Sequence, residues 1–157
     1  MPALTHNTAA GDLTIGGVAM NCPAWKVLNL HELWLPADQR GADVILPGVS
    51  GVRARRRRDT RTTRSLRMVI TGDVDRNGSP QSNKFTGLYT NVEYLRANVV
   101  APTGSGDGTR SAVLTLPSGS SLTESVHVVG MTTGEFRGDA AWLRAVIELS
   151  VPSGRIQ

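Results

Sequence analysis

At 157 residues the chain is long enough to bury one sizeable apolar core, and with 39% hydrophobic residues it is not expected to be globally disordered. Its one cysteine, Cys22, excludes an intrachain disulfide and a cysteine-based metal site, and no run of about eighteen apolar residues exists to span a membrane. The net charge is +4, and no signal-peptide pattern opens the sequence, so we expect the chain to fold in a reducing cytosol.

The first third of the chain is predicted to form an arm and short strands. Aromatic residues are few, whereas Gly, Thr, Ser and Val are plentiful, which favours strands and turns over a helical bundle. In chain order the elements are an arm at residues 1–11, a weak strand over Asp12–Met20 that Gly16-Gly17 interrupts, an alternating segment over Trp25–Leu35, and a short strand at Val44–Leu46.

The positive charge is concentrated in the segment Arg53–Arg67, which holds eight of the fifteen arginines and a single acid, Asp59, for a local charge of +7. The rest of the chain has nine basic and twelve acidic residues, a charge of −3. No apolar stripe runs through the segment and its threonines are β-branched, so extended or loop structure is favoured over a helix. It continues into a half-buried strand over Ser65–Asp73, so the segment is predicted to be one arm of a long hairpin.

The second half is predicted to hold one helix and three strands. Apolar residues at three- and four-residue spacing between Pro80 and Val100 predict a helix capped by Ser79 or Ser82. The apolar face consists of Phe85, Leu88, Tyr89, Val92, Leu95 and Val99. The strands are Ser111–Leu116, Leu122–Met131 and Ala140–Val151, the last with one face formed by Leu143, Ala145, Ile147, Leu149 and Val151. The predicted fold class is therefore mainly β, a sandwich or barrel of antiparallel strands with one flanking α-helix and a basic hairpin or loop, in a single domain over residues 1–157.

No motif in the sequence predicts an enzyme, a metal site or a cofactor. The run Asp73–Gly78 matches the opening of a calcium loop, but the position of the bidentate glutamate is Lys84, whose charge would repel the ion. The glycine-rich run Gly104–Gly108 lacks the residues of a phosphate loop, and His6, His31 and His127 fall in different elements. A hydrolase with dispersed catalytic residues stays open, because such residues converge only in space.

Two functions of the arginine segment stay open. Clustered arginines are typical of nucleic-acid binding, but base-stacking aromatics are absent from the segment. A short basic segment can also bind an anionic membrane, but stable binding would need a second anchor. The alternative is contact with other copies, since guanidinium groups pair bidentately with carboxylates and the rest of the chain is acidic. We favour the second, and the predicted subunit-contact residues are Arg53, Arg55, Arg56, Arg57, Arg58, Arg61 and Arg64.

The order of elements resembles that of the distal-tail and tail-tube proteins of long-tailed bacteriophages, especially small minor tail proteins of actinobacterial phages. The resemblance lies in WKVLNLHELWLPADQRGADVILPGVSG, the arginine hairpin into SLRMVITGD, the helix FTGLYTNVEYLRANV and the closing strand AAWLRAVIELSVPSG, roughly residues 25 to 154.

This resemblance implies a non-enzymatic virion protein, assembled in the host cytoplasm into a ring of identical subunits, expected to be a hexamer. Such a ring joins the tail tube to the tail tip and leaves a lumen for the tape measure and the DNA. Its expected partners are itself and the neighbouring tail proteins, and the tape measure is a further candidate. A strongly positive lumen would retain passing DNA, so Arg53–Arg58 are expected to face protein, with no specific nucleic-acid binding and no membrane.

Overall fold

A computed structural model of the protein describes residues 12–33, 39–40, 44–45, 52–53, 58–59, 62–100, 108–134, 136, 141–152 and 156. The strands are β1 Asp12–Ile15, β2 Val18–Ala19, β3 Trp25–Val27, β4 Gln39–Arg40, β5 Val44–Ile45, β6 Val52–Arg53, β7 Arg58–Asp59, β8 Thr62–Thr71, β9 Thr109–Thr115, β10 Ser121–Thr133 and β11 Trp142–Val151. One α-helix, α1, spans Lys84–Leu95 and continues as a π-turn over Arg96–Val100; a 3-10 helix spans Leu30–Leu33.

Seven strands form one antiparallel sheet in the order β2-β1-β9-β10-β11-β8-β3, which curls into a half-barrel. The two edge strands, β2 and β3, are joined by residues 20–24 alone, a link that reaches less than about 20 Å even when extended. The Trp25 indole Nε1 donates a hydrogen bond to the Ala19 carbonyl at 3.1 Å and so connects the two edges. The prediction of a mainly antiparallel β fold with one flanking helix is confirmed. The seven described strands of the body lie in one curled sheet.

Alternation along the long strands places the core on one face of the sheet, which we call the inner face. Leu66, Met68 and Ile70 of β8 are fully buried, and in the register they lie opposite Ile147, Ala145 and Leu143 of β11. The predicted buried face of β11 is confirmed in full. The residues between them point to the outer face, as the two-residue period of a strand requires.

The helix α1 covers the inner face. Its Leu88 and Leu95, with Val99 of the π-turn, are buried in the same cluster as the inner-face side chains. The cap is Asn83, whose Oδ1 accepts from the backbone N–H of Phe85 and Thr86, so the prediction of Ser79 or Ser82 is wrong. The predicted apolar face is also wrong at Phe85 and Tyr89, which are exposed.

The prediction for Trp25–Leu35 holds only over its first residues, because β3 ends at Val27. The buried side chain of Asn29 then replaces the strand ladder: its Oδ1 accepts from the Arg67 N–H at 2.8 Å, and its Nδ2 donates to the Ser65 carbonyl at 2.7 Å. Strand pairing therefore ends here and the 3-10 helix begins, and its Leu30 and Leu33 are buried in the core. An amide side chain can satisfy a ladder edge in this way because it carries both a donor and an acceptor.

The helix meets the end of β8 through two glycines in close contact. A Cβ on Gly72 would lie 1.8 Å from the carbonyl oxygen of Lys84, and a Cβ on Gly87 would lie 2.4 Å from the carbonyl oxygen of Gly72. Beside them, the buried Asn91 Nδ2 donates to the carbonyls of Thr71 and Val74 at 2.8 and 3.0 Å. Any side chain at the two glycines would therefore push the helix off the sheet.

We predict that Gly72→Ala destabilises the fold strongly. The added methyl would meet backbone atoms that no rotamer change can move, and overpacking of this kind costs about 1–3 kcal/mol or more. Gly130→Ala is the matched control, because its Cβ would meet nothing within 4 Å, and we expect a change within about 0.5 kcal/mol. Urea unfolding of the two variants measures the difference; equal midpoints would contradict the packing described here.

Candidate assembly surfaces

Strands β6 and β7, the described part of the arginine segment before β8, form the return arm of a hairpin, as predicted. Strand β4 pairs antiparallel with β7 and β5 pairs antiparallel with β6, so the second pair is nested within the first. These two ladders are separate from the seven-stranded sheet. In the sequence, the hairpin strands lie between the 3-10 helix and β8, and β8 belongs to the seven-stranded sheet.

The predicted contact residues are placed in part. Arg53 lies in β6 opposite Val44, Arg58 lies in β7 opposite Arg40, and Arg64 lies in β8 opposite Leu149. Arg64 shares the register of the inner face and is half-buried, so it belongs to the root of the hairpin. Four further members of the set, Arg55, Arg56, Arg57 and Arg61, lie outside the described residues. Contact with another subunit stays a prediction for all seven.

The last arginine of the segment, Arg67, is paired within its own chain. Its guanidinium Nη2 lies 2.8 Å from Glu32 Oε1, and Asn29 Nδ2 donates to the other carboxylate oxygen at 2.9 Å. The Asn29 hydrogen bond, followed by the charge of Arg67, lowers the pKa of the Glu32 carboxyl. This network fastens the 3-10 helix to β8 where the hairpin leaves the body.

The loop Asp73–Gly78 is closed by a protein cation. The Lys84 ammonium lies 3.2 Å from Asp73 Oδ1, and the Asp73 side chain is only 8% exposed. Asp75 Oδ1 accepts from the N–H groups of Asn77 and Ser79, which fixes an Asx turn. Lys84 thus meets the first carboxylate of the motif, and the loop connects β8 to the helix α1. Within the described residues, no group of three or more His, Cys, Asp or Glu is placed to hold a metal ion.

An apolar cleft of about 400 Å³ opens between the helix α1 and the ends of β10 and β11, and we call it the aromatic cleft. It is lined by Phe85, Leu88, Tyr89, Val92, Thr133, Phe136 and Leu143. Phe85 is 55% exposed, Tyr89 68% and Phe136 49%, and the rings of Phe85 and Phe136 lie 5.6 Å apart. Exposed aromatic side chains grouped in this way mark an interaction surface more often than scattered ones do.

Sequence reasoning missed the aromatic cleft. Helical spacing placed Phe85 and Tyr89 on the apolar face of the helix but does not show how far the sheet extends beneath that face. Phe136 lies between two predicted strands, where no periodicity exists. The available signal was the pair of large aromatics four residues apart at one flank of the stripe.

A second, smaller cleft of about 220 Å³ lies near the two edges of the sheet. There the Arg76 guanidinium carbon lies 4.5 Å from the centre of the Tyr94 ring, and that ring stacks on Trp25 at 5.9 Å. Arg76 also donates a hydrogen bond to the Tyr94 hydroxyl. Cys22 lines the same cleft, and burial raises the pKa of its thiol, which disfavours the reactive thiolate. The arrangement is a stack that connects the loop after β8 and the helix α1 to the edge strand β3.

The two described histidines lie in different elements of the fold. His31 is exposed on the 3-10 helix, His127 packs in β10 beside Gly108, and His6 lies outside the described residues. Among the described residues, no helix is long and apolar enough to cross a bilayer.

Comparison with known proteins gives similarity at the level of structure. No protein-family model matches the chain, and no curated protein matches it significantly. The chain is similar to the Dit protein of phage SPP1, described as a paradigm of the hub adsorption apparatus in phages that infect Gram-positive bacteria, with 12% identity and a TM-score of 0.48. That match covers 92% of this chain and 51% of the Dit chain, so this chain spans about half the length of Dit. It is also similar to the tube-terminating cap of the anti-feeding prophage, with 12% identity, a TM-score of 0.40, and coverage of 99% of this chain and 92% of the cap.

The lowered pKa of Asp73, to which Lys84 contributes, predicts how stability depends on pH. Burial raises the pKa of Asp73, but cationic contacts, the Lys84 ammonium among them, outweigh it and hold the pKa below its ordinary value. A pKa that is lower in the folded state contributes stability above the unfolded-state pKa, and this stability is lost as the pH falls through the folded-state value. We therefore expect the free energy of unfolding to fall between about pH 5 and pH 2 more steeply in the wild type than in D73N. Urea unfolding across this range tests it, and identical pH profiles would refute the assignment.

Proposed function

We propose that this protein is a structural subunit of a bacteriophage tail and assembles with copies of itself into a ring, a hexamer, that joins the tail tube to the tail tip. It acts by binding its neighbours and carries out no catalysis. Its place is the tail of the virion, and its neighbours are the tube and tip proteins, with the tape measure in the lumen. The resemblance over residues 25 to 154 is the source of the ring position and of these partners.

The observation that carries the proposal is the separate hairpin. Strands β4 to β7 form their own ladders outside the seven-stranded sheet, so these four strands do not extend it. The body already has a continuous core made by β1, β3, β8, β9, β10, β11 and the helix. A two-stranded hairpin is at best marginally stable alone in water. Packing against another subunit would stabilise it.

The charge distribution supports contact between like copies. The segment Arg53–Arg67 carries +7 and the remainder of the chain −3, so each copy offers both a basic hairpin and a mildly acidic body. Glu148 is exposed on the outer face of β11, and its cross-strand partners are the uncharged Ser65 and Gly130. It is one acid of the body that a neighbour's arginine can pair with. A contact of this kind between different faces of the same chain generates a ring when the rotation between successive copies closes.

The alternative is a nucleic-acid-binding module that uses the same hairpin. The concentrated arginines favour it, because phosphate contacts require only positive charge and reach. It needs no ring, and its affinity would fall steeply as the salt concentration rises.

Native mass spectrometry of the wild type, the hairpin variant R56S/R57S and the body variant R96S/R144S separates the two functions. Each variant removes two positive charges, and Arg96 and Arg144 are exposed. We expect a six-subunit ring for the wild type and the body variant. We expect the hairpin variant to need at least a tenfold higher concentration to assemble, because two charge-assisted contacts per interface are lost.

Binding of a fluorescent DNA duplex, measured by anisotropy over a salt series, completes the comparison. We expect weak binding that R56S/R57S and R96S/R144S reduce alike. A monomeric wild type at high concentration, together with DNA binding lost only in R56S/R57S, would contradict the proposal and support the alternative.

A further inference from the structure

Large apolar side chains are exposed at the aromatic cleft and at two separate positions among the described residues. Phe85, Tyr89 and Phe136 surround the aromatic cleft, and the other two exposed large apolar residues are Leu28 and Val129, each 54% exposed. No charged residue lines the cleft in the described part of the chain, and Thr133 and the Tyr89 hydroxyl are its side-chain polar groups. Small-molecule sites usually enclose most of the ligand surface, whereas the aromatic side chains around this cleft are about half exposed or more. Its chemistry fits an apolar side chain of a protein partner.

The chain itself offers the matching surface. Leu28 follows the buried Val27 and stays in the ladder, since its N–H donates to the Arg67 carbonyl, so its side chain points to the outer face. Val129 lies at the irregularity between Val128 and Gly130 of β10, and the buried Val128 before it faces the core. Val128 pairs with a buried residue of β11 and Gly130 with an exposed one, so the exposed Val129 at the bulge turns outward with Gly130. The cleft lies on the helix side of the sheet and the two side chains on the other.

We propose that the aromatic cleft receives an outer-face apolar side chain, Leu28 or Val129, from a second copy of this chain. The contact is heterologous, because the cleft and the inserted residue lie on different faces of each copy, and such contacts continue from copy to copy until a ring closes. The proposal rests on the ring-forming function above and adds the surface through which neighbours meet. The proposed contact involves the described body of each copy, and the hairpin makes a separate contact with a neighbouring copy.

The test is the oligomeric state of two variants, alone and mixed, by sedimentation velocity. Y89D places a charge in the cleft, and L28D/V129D places charges on the outer face; each blocks one half of the contact and leaves the other intact. We expect each variant alone to be monomeric and the equimolar mixture to form heterodimers, because one copy then supplies an intact cleft and the other an intact outer face. Aromatic residues at interface centres typically change the dissociation constant at least thirtyfold when lost.

The matched control is T90D, which adds the same charge to an exposed position of the helix turned away from the cleft, and it should assemble as the wild type does. The softer change Y89S, at a side chain that is already exposed, keeps the test available if Y89D fails to fold.

A wild type and a Y89D variant that both form rings would overturn this contact and leave the ring function standing. A monomeric wild type would overturn both, and two monomeric variants that do not associate when mixed would overturn the heterologous pairing.

Discussion

The close approach of Gly72 to Gly87 is the contact on which the rest of the structure depends. A single curled sheet has one apolar face to bury, and in this protein α1 is the helix that covers it. The two glycines let the helix backbone lie directly against the end of β8, and Asn91 and Lys84 fasten it there with hydrogen bonds to carbonyls and an ion pair to Asp73. Nearby, Trp25 of β3 pairs with Ile70 of β8, joins the two sheet edges and supports the Tyr94 ring.

In this arrangement the described core is formed without the hairpin strands β4 to β7, and two surface features take no part in it. The hairpin of β4 to β7 shares no ladder with the body's sheet, and the helix presents Phe85 and Tyr89 beside the stripe that the sheet covers. One feature is basic and the other apolar, so they suit different contacts. Charged contacts act at longer range and set orientation, whereas apolar contacts supply most of the affinity. A ring subunit needs both, and this is why we assign the two surfaces to assembly.

The sequence predicted what periodicity and charge can show. The inner face of β11 follows a two-residue alternation, so its buried residues were identified correctly, and the arginine segment lacks any apolar stripe, so its hairpin was expected. The Gly72–Gly87 contact could not be predicted, because glycine adds nothing to a hydrophobic pattern. The Asn29 side chain that ends β3 was missed for a similar reason: the alternation continues through it. Phe136 and the exposure of Tyr89 depend on where the helix lies on the sheet, which is a tertiary property.

An electron cryo-microscopy map of the assembled particle tests most directly whether the hairpin and the aromatic cleft are the assembly surfaces. The account predicts a closed ring in which residues 39–59 of each subunit contact the body of a neighbour, and in which density from a neighbour fills the cleft between Tyr89 and Phe136. A ring in which the cleft is open to solvent and the hairpin contacts no neighbour would contradict it.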